Sequence, residues 1–258
     1  MKRYLSLSFV VTALLVPCHG SAAFLHTPEI ASNAEFLMNT LGFSEDKIRK
    51  LQKRATKGNI LTLESGILEE RVDWLSERLN LKVQDMKRIA QSRPNILEMH
   101  SGESLGPKVN YLESRLHLDE LSLRQLALRA PAVLGLSLEN NLVPKLEFLV
   151  TRLSLDGNQL KKLVLAAPTV LTLNVESNLE PKLDYLQSRL RLDNKSFRRL
   201  ILATPSVLVI NMEGNIKPKL DYLQRRLILD DGSLKKLVLC IPTVLSMRLE
   251  ETIVPKLD

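Results

Sequence analysis

The sequence predicts an all-α superhelical solenoid of about 37-residue repeats, each two helices followed by a short 3₁₀ or single helical turn. Three observations predict it. Two proline ladders, Pro94-Pro131-Pro168-Pro205-Pro242 and Pro107-Pro144-Pro181-Pro218-Pro255, both climb in steps of 37. Two columns of helix-capping residues repeat with the same period. Leucines recur at helical spacing inside each unit, while the chain holds only 10 Gly among 258 residues. One such unit cannot bury its own faces, so stacking against neighbours must supply the core.

Residues 1–23 read as a targeting segment. Lys2 and Arg3 form a basic start, an uncharged run follows from Tyr4 to Cys18, and Ser21-Ala22-Ala23 precedes Phe24. That is the three-part signal-peptide pattern, with a run too short for a membrane span. Pro17 and Gly20 argue against a buried helix there. Beyond the leader only Cys240 remains, so the mature chain forms no internal disulfide, which fits a reducing compartment. The SAAF junction resembles the bipartite plastid-targeting signal of algae whose plastids came from a eukaryotic endosymbiont. The resemblance implies an organelle, the plastid before the mitochondrion, although Glu29 and Glu35 depart from an acid-poor transit peptide.

Residues 24–66 are read as transit remainder plus a degenerate first repeat, around Phe36-Leu37. Full repeats are expected at 67–103, 104–140, 141–177, 178–214 and 215–251. In the first of these Glu70 stands at a ladder-proline position, as Lys57 does before it. Helix A of each unit is expected to start at Ser104, Asn141, Asn178, Asn215 or Thr252, acting as N-caps with the proline in the first turn. Its leucine stripe shows in Leu146, Leu149 and Leu153. Helix B is expected to start on the cap Asp119, Asp156, Asp193 or Asp230 and to end at a first-ladder proline. PTVL or PSVL then forms the short turn. PKLDYLQ occurs twice, and the closing PKLD is the first turn of a truncated sixth unit from 252. The expectation is a fragment, a truncated gene model, or a partner protein covering the apolar face of the last full unit.

The leucine-rich helix that ends in a proline with leucine three on, LKKLVLAAPTVL at 160–171, resembles the mitochondrial transcription termination factor (mTERF) family. So does the acid-asparagine turn into a proline-basic helix, ESNLEPKLDYL at 176–186. The resemblance covers roughly 67–258. It implies an organellar solenoid that binds double-stranded DNA or RNA and acts in transcription, splicing or ribosome assembly.

Bases exceed acids by 36 to 29, a formal +7, and removing Lys2 and Arg3 leaves +5. A mild excess favours an anionic partner, so charge placement must carry the argument. Helix A holds a lysine column, Lys108, Lys145, Lys182, Lys219 and Lys256, with Arg71 upstream. Seven residues on runs Arg78, Arg115, Arg152, Arg189 and Arg226. Helix B holds Lys87-Arg88, Arg124-Gln125, Lys161-Lys162, Arg198-Arg199 and Lys235-Lys236. Stacked units align each column into a row of cations suited to a phosphate backbone. The arginines are favoured because the guanidinium fork fits phosphate. The competing reading lays these stems over unit interfaces or pairs them with acids, most of all for the first-turn lysines.

Trp74, Tyr111, Phe148, Tyr185 and Tyr222 form an aromatic column, for which packing between units is favoured over base stacking. The sequence has no glycine-rich phosphate loop, HExxH, CxxC or GxSxG, so neither an enzyme nor a cofactor is expected. The rival reading is a protein-binding scaffold, and a third is nucleic-acid binding only in company with a partner.

Overall fold

The computed structural model describes residues 27–53, 59–64 and 66–257. The leader 1–23, its SAAF junction and Lys57 lie outside the described residues, as do the side chains of Lys256 and Leu257. Among the described residues there are thirteen α-helices and no strand, the all-α repeat solenoid that the ladders predict. The chain divides into two compact bodies, meeting in sequence at Ser65 and Gly66.

The first body contains α1 (Pro28–Asn39), α2 (Glu45–Lys53) and a 3₁₀ turn at Ile60–Thr62. Its core is Ile30, Leu37, Leu41, Phe43, Ile48, Ile60 and Leu61. Asn33 is buried among them, and its Nδ2 donates to the carbonyls of Leu61 (3.1 Å) and Leu63 (2.8 Å). A buried amide is tolerated because it satisfies backbone acceptors that lie beyond any helix ladder.

The second body repeats one plan. The A helices are α3 (Ile67–Arg78), α5 (Gly106–Leu116), α7 (Val143–Leu153), α9 (Glu180–Arg189), α11 (Lys217–Arg226) and the single turn α13 (Val254–Leu257). The B helices are α4 (Val83–Ser92), α6 (Glu120–Arg129), α8 (Gly157–Ala166), α10 (Asn194–Ala203) and α12 (Asp231–Cys240). Each B helix ends shortly before a ladder proline, which opens a 3₁₀ turn: Pro94–Glu98, Pro131–Gly135, Pro168–Thr172, Pro205–Leu208 or Pro242–Leu245. The aspartate caps stand where expected. Asp119, Asp156, Asp193 and Asp230 each accept from the backbone N–H three residues on, at 2.7–2.8 Å.

The entry to helix A differs from expectation. A π-helical turn precedes every A helix from α5 onward, at Ser101–Leu105, Leu138–Leu142, Val175–Leu179, Met212–Ile216 and Leu249–Ile253. Where a side chain caps this turn, the cap is Ser137, Asn174 or Asn211, four residues before the asparagine column that the sequence suggested. The wider turn carries Leu105, Leu142, Leu179, Ile216 and Ile253 into the core. It also frees Ser104, Asn178 and Asn215 to accept hydrogen bonds from elsewhere.

Helix A ends on a left-handed residue in every full unit: Asn80, His117, Ser154, Arg191 and Ile228, with φ of 45–50°. The following N–H reaches back five residues, as in Leu155 to the Val150 carbonyl at 3.0 Å, a Schellman closure built without glycine. The B helices stack, α4 on α6, α6 on α8 and α8 on α10. Helices α6, α8 and α10 each also pack on the next unit's 3₁₀ turn. The A helices rest on later B helices, α5 on α8 and α7 on α10. This stacking buries Leu146, Leu149 and Leu153 at 3% exposure or less.

Candidate nucleic-acid interface

The helix-A lysines are buried, which overturns their reading as phosphate contacts. Lys108, Lys145, Lys182 and Lys219 are at most 6% exposed. Each Nζ donates to a backbone carbonyl 26 residues on, in the 3₁₀ turn of its own unit: Leu134 (3.4 Å), Leu171 (2.6 Å), Leu208 and Leu245 (2.7 Å). Arg71 does the same to Leu97 at 2.8 Å. Ser104, Asn178 and Asn215 supply a second acceptor one turn earlier, at 3.4, 3.0 and 2.7 Å. Burial lowers the pKa of all four lysines, and that of Lys219 to about 8. A cation bonded inward at this depth cannot meet a phosphate. It fastens the start of helix A to the end of the unit.

The arginine column is committed to neighbouring units. Arg78 reaches Glu113 (2.6 Å) and Asn110 (2.9 Å); Arg115 reaches Glu147 (2.9 Å). Arg152 reaches Asp184 (2.7 Å) and Gln187 (2.8 Å). Arg189 bonds Gln224 and approaches Asp221 (3.4 Å) and Asp231 (3.5 Å). Every acidic partner on helix A belongs to the following unit, and these arginine side chains are 21–29% exposed. Arg226, at the end of the column, is exposed. The column therefore forms a ladder of ties between units, the alternative that spacing alone left open.

The helix-B pairs divide their labour. Lys161, Arg198 and Lys235 turn back 44 residues to the carbonyls of His117 (2.8 Å), Ser154 (2.9 Å) and Arg191 (3.0 Å). Those are the left-handed residues that close helix A, so the cation caps an orphan carbonyl at a negative helix end. Arg124, at the equivalent place, bonds Asp85 instead and lowers the pKa of that carboxyl. The second members, Arg88, Lys162, Arg199 and Lys236, are exposed, and no hydrogen bond or ion pair to them occurs among the described residues. Arg88 and Lys236 feel Asp85 and Asp230 only through space.

Charge is segregated along every unit. From the body of helix B into its 3₁₀ turn, residues 86–97, 124–136, 159–173, 196–210 and 233–247 contain no Asp or Glu. Glu98 closes the first of these turns, and the other carboxylates occupy the π turn, helix A and the start of helix B. A cleft of about 370 Å³ at the π turns is lined by Glu103 and Glu139, a poor place for a phosphate. A smaller cleft between α10 and α12, about 230 Å³, is lined by Arg199, Ala203, Cys240 and Pro242 without a carboxylate. Because the B helices stack, equivalent residues follow one another along that face. The aromatic column takes no part. The Trp74 ring lies 3.8 Å from where a side chain on Gly106 would begin, and Lys217 sits 5.1 Å above the Tyr185 ring. Both contacts join a helix A to the start of the next, so the column packs units together.

The arrangement is a helical-repeat scaffold on which the helix-B cations Arg88, Lys162, Arg199 and Lys236 are exposed, and the comparison with known families agrees with the helical repeat. The mTERF family model matches residues 25–195 and 189–258. This chain belongs to the mTERF family. A search of curated proteins gives no match. The mTERF family is organellar and binds nucleic acids, and it is generally non-enzymatic. No helix among the described residues is long and apolar enough to cross a membrane.

Proposed function

We propose that this mTERF protein is an organellar nucleic-acid-binding regulator of gene expression, gripping a duplex backbone with the exposed cations of its B helices. The observation that carries this is the exposed, unpaired Arg88, Lys162, Arg199 and Lys236 recurring on stacked B helices whose stretches into the 3₁₀ turns hold no Asp or Glu. Such a face releases counterions when it meets phosphates, so affinity should fall steeply with salt. Salt titration against duplex DNA and duplex RNA tests it. Changing Arg88, Lys162, Arg199 and Lys236 together to Gln should flatten the salt slope by roughly 3–4, taking about 0.9 per phosphate contact. Wild-type affinity in that variant would point to the protein-binding scaffold instead.

The finer role is regulation or termination of organellar transcription, with splicing or ribosome assembly as the RNA-based counterpart. Cross-linking in the organelle and sequencing of the bound nucleic acid separates these. The leader and SAAF junction support the plastid. A fluorescent fusion to residues 1–66 should enter plastids, and mitochondrial import would redirect the assignment.

A further inference from the structure

The second residue of each 3₁₀ turn forms one more column in steps of 37: Asn95, Ala132, Thr169, Ser206 and Thr243. Four of the five are hydrogen-bonding side chains. Asn95, Thr169 and Thr243 are exposed and Ser206 partly so. Among the described residues none of these four side chains has a hydrogen-bond partner. Three nearby hydroxyls are engaged: Ser92 bonds the Ile89 carbonyl, Thr172 that of Thr169, and Ser246 that of Thr243, all at 2.8–2.9 Å, whereas the buried Thr204 hydroxyl has no partner. Thr151 and Ser188 on helix A are exposed hydroxyls without a partner too, so lack of a partner alone does not set the column apart.

Its position matters more. Helix α8, bearing Lys162, packs on the turn bearing Ser206, and α10, bearing Arg199, packs on the turn bearing Thr243. Arg199 and Pro242, the residue before Thr243, line the same carboxylate-free cleft. Unit 104–140 lapses in both columns at once. It has Gln125 in place of the free cation and Ala132 in place of the polar side chain. Its other helix-B cations are spent on Asp85 and on the Leu165 and Ala166 carbonyls. Two columns failing in one unit is what a shared ligand produces when it skips that unit.

The geometry points to a second line of nucleic-acid contact: the Thr169, Ser206 and Thr243 hydroxyls, with the Asn95 amide, donating hydrogen bonds to phosphate oxygens beside the helix-B cations. This rests on the reading of that face as the nucleic-acid interface. Hydroxyl and amide donors to phosphate position a protein on the backbone, and neutral donors release no counterion of their own. The branched Thr side chain, held just after a proline, presents its hydroxyl with little rotamer freedom to lose. Grip is then concentrated in residues 157–247, where both lines are complete.

The test is equilibrium binding of the full chain to a random-sequence DNA duplex and to the RNA duplex of the same sequence. The variant Thr169→Val/Ser206→Ala/Thr243→Val should bind on the order of tenfold more weakly, with the wild-type salt slope retained. Thr169→Ser/Thr243→Ser should bind as wild type. Gln125→Lys/Ala132→Thr should bind more tightly and steepen the slope by about one, a gain that misfolding cannot mimic. If the hydroxyl triple binds as wild type while Lys162→Gln/Arg199→Gln/Lys236→Gln weakens, this inference falls and the cationic face stands. If neither triple weakens binding, both fall. A weakened hydroxyl triple whose slope also flattens would show the hydroxyls merely positioning the cations, and overturn direct donation.

Discussion

At the scale of the residue, the most informative position is Lys219. Its Nζ is enclosed, bonded to the Leu245 carbonyl and the Asn215 amide oxygen, and burial lowers its pKa to about 8. Below pH 8 it is charged in both the folded and the unfolded chain, and the folded state bears the cost of desolvating it. Between about 8 and the free-lysine value near 10.4 the unfolded chain holds the proton that the folded chain has released, so stability rises with pH. The gain at this site is on the order of 3 kcal/mol and is complete above pH ~10.5. Denaturant midpoints of the wild type and of Lys219→Met, measured at pH 7 and pH 10, should therefore diverge in favour of the wild type as pH rises. A difference independent of pH would refute the charged, desolvated lysine. The column itself was legible as a period-37 recurrence, yet its meaning was not. A lysine next to a helix-opening proline looks solvated on one helix, and only the carbonyl 26 residues away reveals where the amine goes.

At the scale of the element, the caps show which local rules a sequence announces. Asp119, Asp156, Asp193 and Asp230 behaved as side-chain chemistry demands, because the carboxylate satisfies an N–H within its own turn. The asparagine column misled because the π turn shifts the cap by four residues, and that widening depends on where the following Leu or Ile must be buried. The helix-A closures were silent, since none uses glycine. Asn80, His117, Ser154 and Arg191 occupy the left-handed region at modest cost, while Ile228 does so with a β-branched side chain that is 92% exposed. Ile228→Gly removes that strain and forfeits no packing, so it should stabilise the chain by about 1 kcal/mol after the glycine's own entropy is subtracted. Thermal unfolding checks it, and a lower midpoint would mean that the exposed isoleucine is packed. The same logic applies to the capping cations. Lys161 and Lys235 hold their carbonyls with an amine, so Arg198→Lys should retain the contact with Ser154. Arg198→Ala should instead cost about 0.5–1.5 kcal/mol by leaving that carbonyl to water, a difference that denaturant midpoints resolve.

At the scale of the whole molecule, the basic residues fall into four sets. The inner lysines close each unit, the arginine ladder joins each unit to the next, the first cations of the helix-B pairs cap the ends of helix A, and the second cations stay exposed. All four have the same period, which is why spacing alone does not rank them. What separates them is distance in the folded chain to a carboxylate or carbonyl, 26, 32 or 44 residues away in sequence. The separation yields a pair of opposite outcomes. Changing Arg115, Arg152 and Arg189 together to Gln removes ties that are each worth up to about 1 kcal/mol at partly exposed sites. In a solenoid, stability is a sum of unit and interface terms, so the unfolding midpoint should fall and the transition should broaden as units uncouple. The salt slope of nucleic-acid binding should stay near wild type, because no phosphate contact is lost. Changing Lys162, Arg199 and Lys236 to Gln should do the reverse, leaving stability within about 0.5 kcal/mol per site and flattening the salt slope by roughly 3. Unfolding and binding titrations on the two triples decide it. Were the arginine triple to flatten the slope with unfolding unchanged, the ladder would have to open on binding and the arginines would be the contacts after all.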